Sequence, residues 1–147
     1  GNELLQRLTK VLKDKDPNVK LPMATSCSPG WVKFIEHTYP ELLENLSTAK
    51  SPQQMFGALA KTFYAKKVGV DPANMVSVST MPCTAKKYEA NRPEMRASGY
   101  QDVDYVLTTR ELAMMVKQAG VDFMSLPDDQ HDSIMGESSG AGVIFGA

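Results

Sequence analysis

The chain has 147 residues, the length of one domain, with 42% apolar residues to fill a core and 22% charged residues to keep it in solution. Its net charge of -1, with both signs interspersed, leaves no electrostatic footprint for nucleic acid or an anionic membrane. No apolar run approaches the roughly 20 residues that span a bilayer, and no charged-then-apolar leader stands at the start, so a cytoplasmic protein is expected.

Leu4, Leu5, Leu8, Val11 and Leu12 share one helical face while Glu3, Arg7, Lys10 and Lys13 occupy the others, which predicts an opening amphipathic helix. Asp14 to Lys20 is a charged turn around Pro17, and Leu21 to Thr25 reads as a short strand. Ser28-Pro29 is an N-cap and N1 pair that starts a helix carrying Trp31, Phe34 and Ile35 and limited by Pro40. Ser51-Pro52 repeats the device and opens a long helix, in which Met55, Leu59 and Phe63 recur at helical spacing, ending near Gly69. Met75 to Thr80 predicts a buried strand, and the segment around Cys83 turns from its end into a helix. Tyr105 to Thr108 predicts a second strand, and Thr108-x-x-Glu111 is a capping box that starts a helix bearing Leu112, Met115 and Val116 and stopping at Gly120.

Strands alternating with helices imply an α/β fold, a mostly parallel sheet flanked by helices. Ligands in such folds lie at the carboxyl ends of strands, where both Cys27 and Cys83 are predicted to sit. The Gly-rich stretch from Gly136 to Ala147 lacks the Lys-Ser/Thr of a phosphate loop, and its apolar end without a cap implies a chain cut within a domain.

Cys27 and Cys83 are the only two cysteines, too far apart for a CxxC site and too few for a disulfide framework. His37 and His131 lack metal-site spacing and read as ordinary surface or capping residues, so any metal must rest on sulfur. Each cysteine directly precedes a predicted helix, where unpaired backbone N–H groups and the helix dipole favour a thiolate. Taken singly, Cys83, Met81 and Phe145 suit a core, Lys86 suits a solvated surface, and Glu3 and Arg7 suit an i,i+4 surface ion pair.

Taken together, the motifs resemble a family. Thr25-Ser26-Cys27-Ser28-Pro29-Gly30-Trp31 is similar to the first H-cluster motif of the FeFe-hydrogenase catalytic subunit, and the segment MPCTAKKYE from Met81 to Glu89 is similar to the second. Similarity continues through YPELLENLSTAKSPQQMFGALAKTFY, RPEM, DVDYVLTTREL and MGESSGAGVIFGA, covering nearly the whole chain. The resemblance implies that residues 1–147 are part of the H-cluster domain, truncated at both ends and inactive in isolation. The full-length enzyme would be an iron hydrogenase that interconverts dihydrogen, protons and electrons. Its H-cluster is a 4Fe–4S cluster bridged to a two-iron unit carrying CO, cyanide and a dithiolate. An electron carrier such as ferredoxin, or an NAD(H)-linked partner subunit, would exchange the electrons.

Within that resemblance Cys83 matches a cluster ligand and Lys86 the lysine that hydrogen-bonds a cyanide. Met81, Pro52, Gln53 and Phe145 match residues of a dry pocket around the two-iron unit. Cys27, Ser47, Glu3 and Arg7 match members of a proton relay. The family commonly has adjacent cysteines in the first motif where this chain has Cys27-Ser28. Either Ser28 meets iron through oxygen with Cys27 in the relay, or Cys27 takes the ligand role. Two other readings are a non-catalytic hydrogenase-like iron–sulfur scaffold or sensor, disfavoured by retention of Lys86, Met81 and Gln53, and a metal-free binding module.

Overall fold

The computed structural model describes residues 1–130 and 132, in which helices flank a two-stranded parallel sheet. Helix α1 (Asn2–Leu12) forms from the predicted amphipathic stretch, although none of its residues is fully buried. The following charged turn is closed by Asp16, whose carboxylate accepts the Asn18 N–H at 2.9 Å. Leu21 to Thr25 does not form the predicted strand; a single parallel bridge joins Ala24 to Leu46. Pro22 lacks the N–H that a longer ladder needs, and the chain satisfies its groups by other contacts. The bridge nevertheless holds Ser47, whose N–H donates to the Ala24 carbonyl at 2.7 Å.

Helix α2 (Pro29–Thr38) begins at the predicted proline and buries Pro29 and Ile35. Ser28 occupies the N-cap position in extended backbone, but its hydroxyl makes no cap bond, which corrects the expected capping role. A 3-10 turn (Pro40–Asn45) follows, and α3 (Pro52–Leu59) starts from Ser51, whose Oγ accepts the Gln54 N–H at 3.4 Å. The helix continues through a π-helical segment, Ala60–Tyr64, into α4 (Ala65–Val68), and ends at Gly69, whose φ of 69° suits a residue without Cβ.

The stripe of Met55, Leu59 and Phe63 used to predict this helix is exposed. Its buried face carries Gln53, Gln54, Gly57, Ala60, Lys61 and Ala65. Part of that face meets carbonyls and carboxylates: Lys61 donates from Nζ to the Gln101 carbonyl at 2.7 Å and pairs with Asp104 Oδ2 at 2.6 Å. The Gln54 side-chain amide, fully buried, has no hydrogen-bond partner among the described residues.

Strand β1 (Val78–Met81) starts three residues later than predicted, after a 3-10 turn at Pro72–Asn74 that Asp71 caps, and it is half exposed where the sequence suggested burial. It pairs in parallel with β2 (Tyr105–Thr108), with Val78 opposite Tyr105 and Met81 opposite Thr108. A parallel pair needs a long crossover, and the connection here carries α5 (Ala85–Ala90). Ala90, Val103 and Val106 form a small core with Met81 packed against it.

Gly57 brings α3 against the backbone of Asp102 and the side chain of Val103. Asp102, fully buried, accepts from the backbone N–H of Ala97 and Ser98, each at 2.9 Å, and from Ser98 Oγ at 2.7 Å. Burial pushes its carboxyl up, but the bonds from Ser98 and Ala97 and the Lys50 charge outweigh this and hold it below the usual carboxylate range. Both halves of the predicted capping box are present at the start of α6 (Thr109–Gln118), with Thr108 Oγ1 accepting from Glu111 N at 3.2 Å and Glu111 Oε2 from Thr108 N at 2.7 Å. No described helix is long and apolar enough to cross a membrane.

Candidate functional site

Cys83 lies just beyond the carboxyl end of β1, and Thr84 follows at the N-cap position of α5 without a side-chain cap bond. Cys27 immediately precedes the N-cap of α2. Both thiols are exposed. Lys86 connects the two segments: its backbone N–H donates to the Cys83 carbonyl at 3.3 Å, and its ammonium donates to the Cys27 carbonyl at 2.6 Å. The packing of α5 on α2 therefore brings together motifs far apart in sequence. Position at the carboxyl end of a parallel strand holds for Cys83, while Cys27 follows a lone bridge residue instead of a strand.

A second constellation gathers on the α1 side. Glu3 accepts from Arg7 Nε and Nη2 at 3.1 and 2.9 Å through Oε1, and from the Ser47 hydroxyl through Oε2. Thr48 N–H adds a bond to Oε1 at 3.1 Å. Arg7 also donates to the carbonyls of Lys20, Glu44 and Leu46 at 3.3, 2.8 and 2.8 Å, so this pair is an anchored network and not a surface ion pair. The Ser47 hydroxyl brings Glu3 down to about 2; desolvation opposes it, and Thr48 N–H and Arg7 assist.

Because the folded-state value is depressed, the stabilisation is complete above the ordinary value of 4.5 and is lost as pH falls through about 2. Glu3→Gln is thus expected to melt below wild type at neutral pH, with the gap closing as the pH is stepped from 4.5 toward 2. Melting curves at stepped pH check this, and a gap independent of pH would refute it.

The two constellations meet through Ala49. Its N–H donates to Ser47 Oγ at 3.1 Å, and its carbonyl accepts from the hydroxyl of Ser26, the neighbour of Cys27. Among the described residues no hydrogen bond joins the Cys27 thiol to Ser47. Arg7, Glu3 and Ser47 are thus in direct contact, and Cys27 stands one residue beyond their network.

Met81, Pro52 and Gln53 line one groove of about 310 Å³ with Phe56, Ser79 and Val103. Phe145 lies outside the described residues. The donor types suit one wall of an iron–sulfur site, with two exposed thiols on segments that the Lys86 ammonium joins through the Cys27 carbonyl. It does not form a closed cage: among the described residues no group of three or more His, Cys, Asp or Glu side chains is placed to hold a metal ion. A four-thiolate cluster would need further ligands.

Sequence reasoning passed over Glu89 and Ser51. Glu89 is buried, and its Oε2 accepts from Ser51 Oγ at 2.9 Å and from Lys86 Nζ at 3.2 Å. Gln53 Nε2 reaches the same oxygen at 3.5 Å, while Gln53 Oε1 accepts from Ser79 Oγ at 2.9 Å. The i,i+3 spacing of Lys86 and Glu89 on a helix was the available signal.

Comparison with known proteins gives a consistent result. The family model described as iron only hydrogenase large subunit, C-terminal domain, matches residues 1–147. The chain is 58% identical to the NADP-reducing hydrogenase subunit HndD of Solidesulfovibrio fructosivorans, over 99% of this chain and 25% of that protein. It is 54% identical to the periplasmic Fe hydrogenase large subunit of Nitratidesulfovibrio vulgaris, over 99% of this chain and 34% of the relative. The cytosolic Fe-S cluster assembly factor NAR1 of Sclerotinia sclerotiorum is 41% identical, over 76% of this chain and 21% of that protein. A solved FeFe-hydrogenase, HydA(deltaEFG), superposes with a TM-score of 0.84 at 43% identity, covering 96% of this chain and 34% of the other. The chain spans between 25% and 34% of the length of the two hydrogenase relatives.

Proposed function

The chain belongs to the family defined by the C-terminal domain of the iron only hydrogenase large subunit, and on that premise we propose that it forms part of an FeFe-hydrogenase catalytic subunit that reversibly oxidises dihydrogen at an H-cluster. The observation that carries this reading is Lys86, whose amide and ammonium join the Cys83 and Cys27 segments into one wall with two thiols. When bound, the cofactor supplies the cleavage of dihydrogen into two protons and two electrons. Cys83 would anchor the iron–sulfur part, with Ser28 or Cys27 at the matching place in the first motif. Lys86 would donate to an anionic ligand, and Met81, Pro52 and Gln53 would form the wall beside it.

The outer half of the chain's own proton path, from Ser47 through Glu3 to Arg7, is supported by the bonds already described. A proton on the Cys27 thiol would first have to cross to Ser47, to which the thiol is not hydrogen-bonded among the described residues, and would then pass to Glu3 and leave beside Arg7. Glu3, held as a carboxylate, is an acceptor that returns to its charged state after each transfer. The electrons would go to ferredoxin or an NAD(H)-linked subunit in the cytoplasm.

The similarity to an assembly factor raises a second reading, an iron–sulfur protein without hydrogenase activity. Identity to the hydrogenases is higher and extends over nearly the whole chain, which favours the first. The deciding experiment is hydrogen evolution from reduced viologen by the anaerobically matured full-length protein. Turnover is the expected result. Bound iron–sulfur cluster without turnover would overturn the hydrogenase reading in favour of the second.

A further inference from the structure

Lysine is a poor positioning device by itself, because its ammonium sits on a flexible four-carbon stem. The structure surrounds the Lys86 head with fixed acceptors. The Cys27 carbonyl takes one N–H at 2.6 Å and Glu89 Oε2 takes another at 3.2 Å. An ammonium has three donors, so two bonds leave one N–H whose direction is set by the other two.

Glu89 is itself held from a different element. Ser51 is at the N-cap of α3, and its hydroxyl accepts the Gln54 N–H while donating to Glu89 at 2.9 Å. One hydroxyl can do both because it has one hydrogen and two lone pairs. Gln53 Nε2, at 3.4 Å from the Lys86 carbonyl, ties the same helix start to α5. Glu89 is 3% exposed, so solvent does little to screen its attraction for Lys86.

We propose that Glu89 is a positioning residue: anchored by Ser51, it holds the Lys86 ammonium over the Cys27 carbonyl and directs the remaining N–H toward an anionic ligand of the bound cofactor. The inference rests on the hydrogenase reading only for the identity of that ligand; the placement of Lys86 by Glu89 is a property of the chain.

The test uses Glu89→Gln and Glu89→Asp in the full-length protein, with two readouts besides activity. In crystals of the protein before the two-iron unit is inserted, the Lys86 ammonium should leave the Cys27 carbonyl in Glu89→Gln. In Glu89→Asp, which keeps the charge on a shorter stem, it should be displaced but still paired. In the matured enzyme, the cyanide stretching bands should shift in Glu89→Gln, and turnover should fall roughly tenfold, as for loss of one charge-assisted hydrogen bond. Glu89→Asp should recover part of both. An unmoved ammonium in the crystals, or unshifted cyanide bands in Glu89→Gln, would overturn the inference. If Glu89→Gln does not fold, Glu89→Asp decides alone by the same ammonium displacement. Wild-type protein that matures without cyanide bands would refute the hydrogenase reading, while the crystals would still decide the placement of Lys86.

Discussion

Replacing Cys83 by serine in the full-length protein is expected to remove bound iron and lower hydrogen turnover by more than about a hundredfold, beyond the 10–100-fold typical of losing an outer-shell partner. The argument is one of ligand chemistry. Iron–sulfur clusters are held by thiolates, and a serine hydroxyl is harder and stays protonated at neutral pH. The substitution is nearly isosteric and the thiol is exposed, so no core is disturbed. The Cys83 carbonyl that accepts the Lys86 N–H is also retained. The variant should therefore melt with the metal-free wild type, which separates loss of the ligand from loss of the fold. Iron content and turnover check the result together, and a variant that keeps both would show that the cluster is anchored elsewhere.

The second large effect is on stability. An alanine at position 57 would place its Cβ against the Asp102 carbonyl oxygen and 2.7 Å from Val103 Cγ2. The oxygen belongs to backbone fixed by the bonds that Ala97 and Ser98 donate to the Asp102 side chain, so it has little room to retreat. Overpacking against such a partner costs up to about 3 kcal/mol, and alanine recovers about 1 kcal/mol of helix propensity. Gly57→Ala should thus destabilise by about 2 kcal/mol in thermal or urea unfolding of the full-length protein. A neutral or stabilised variant would mean that α3 can lift from the Asp102 backbone and the Val103 side chain at no cost.

These two residues illustrate what the sequence could convey. The place of Cys83 between a strand and a helix was legible because its segment is contiguous, and Ser51-Pro52, Thr108-x-x-Glu111, Gly69 and Gly120 were legible because caps and helix ends are decided within a turn. Gly57 carried no such signal, since its close approach depends on residues that follow much later in the chain. The buried face of this helix was out of reach for the same reason: the spacing of Met55, Leu59 and Phe63 predicts a helix without saying which face is covered, and the covered face proves to carry Gln53, Lys61 and Gly57 against carboxylates and carbonyls. Strand pairing was likewise out of reach between Leu21 and Thr25, where propensity says nothing of a partner. Among the site residues, the helical spacing could have paired Lys86 with Glu89, but only folding revealed that Ser51 reaches the same carboxylate.

The attachment of α1 has a dynamic consequence. The helix has no fully buried residue, and its long-range hydrogen bonds come from Arg7 and Glu3. An element held mainly by polar bonds at a surface opens at lower free energy than a packed core and exchanges its amide hydrogens earlier. Glu3 and Arg7 sit on such an element, while Lys86 and Glu89 sit on α5, whose terminal Ala90 belongs to the core. In the proposed relay, solvent would reach the outer end through local opening of α1, without any loosening of the wall that carries the cysteines.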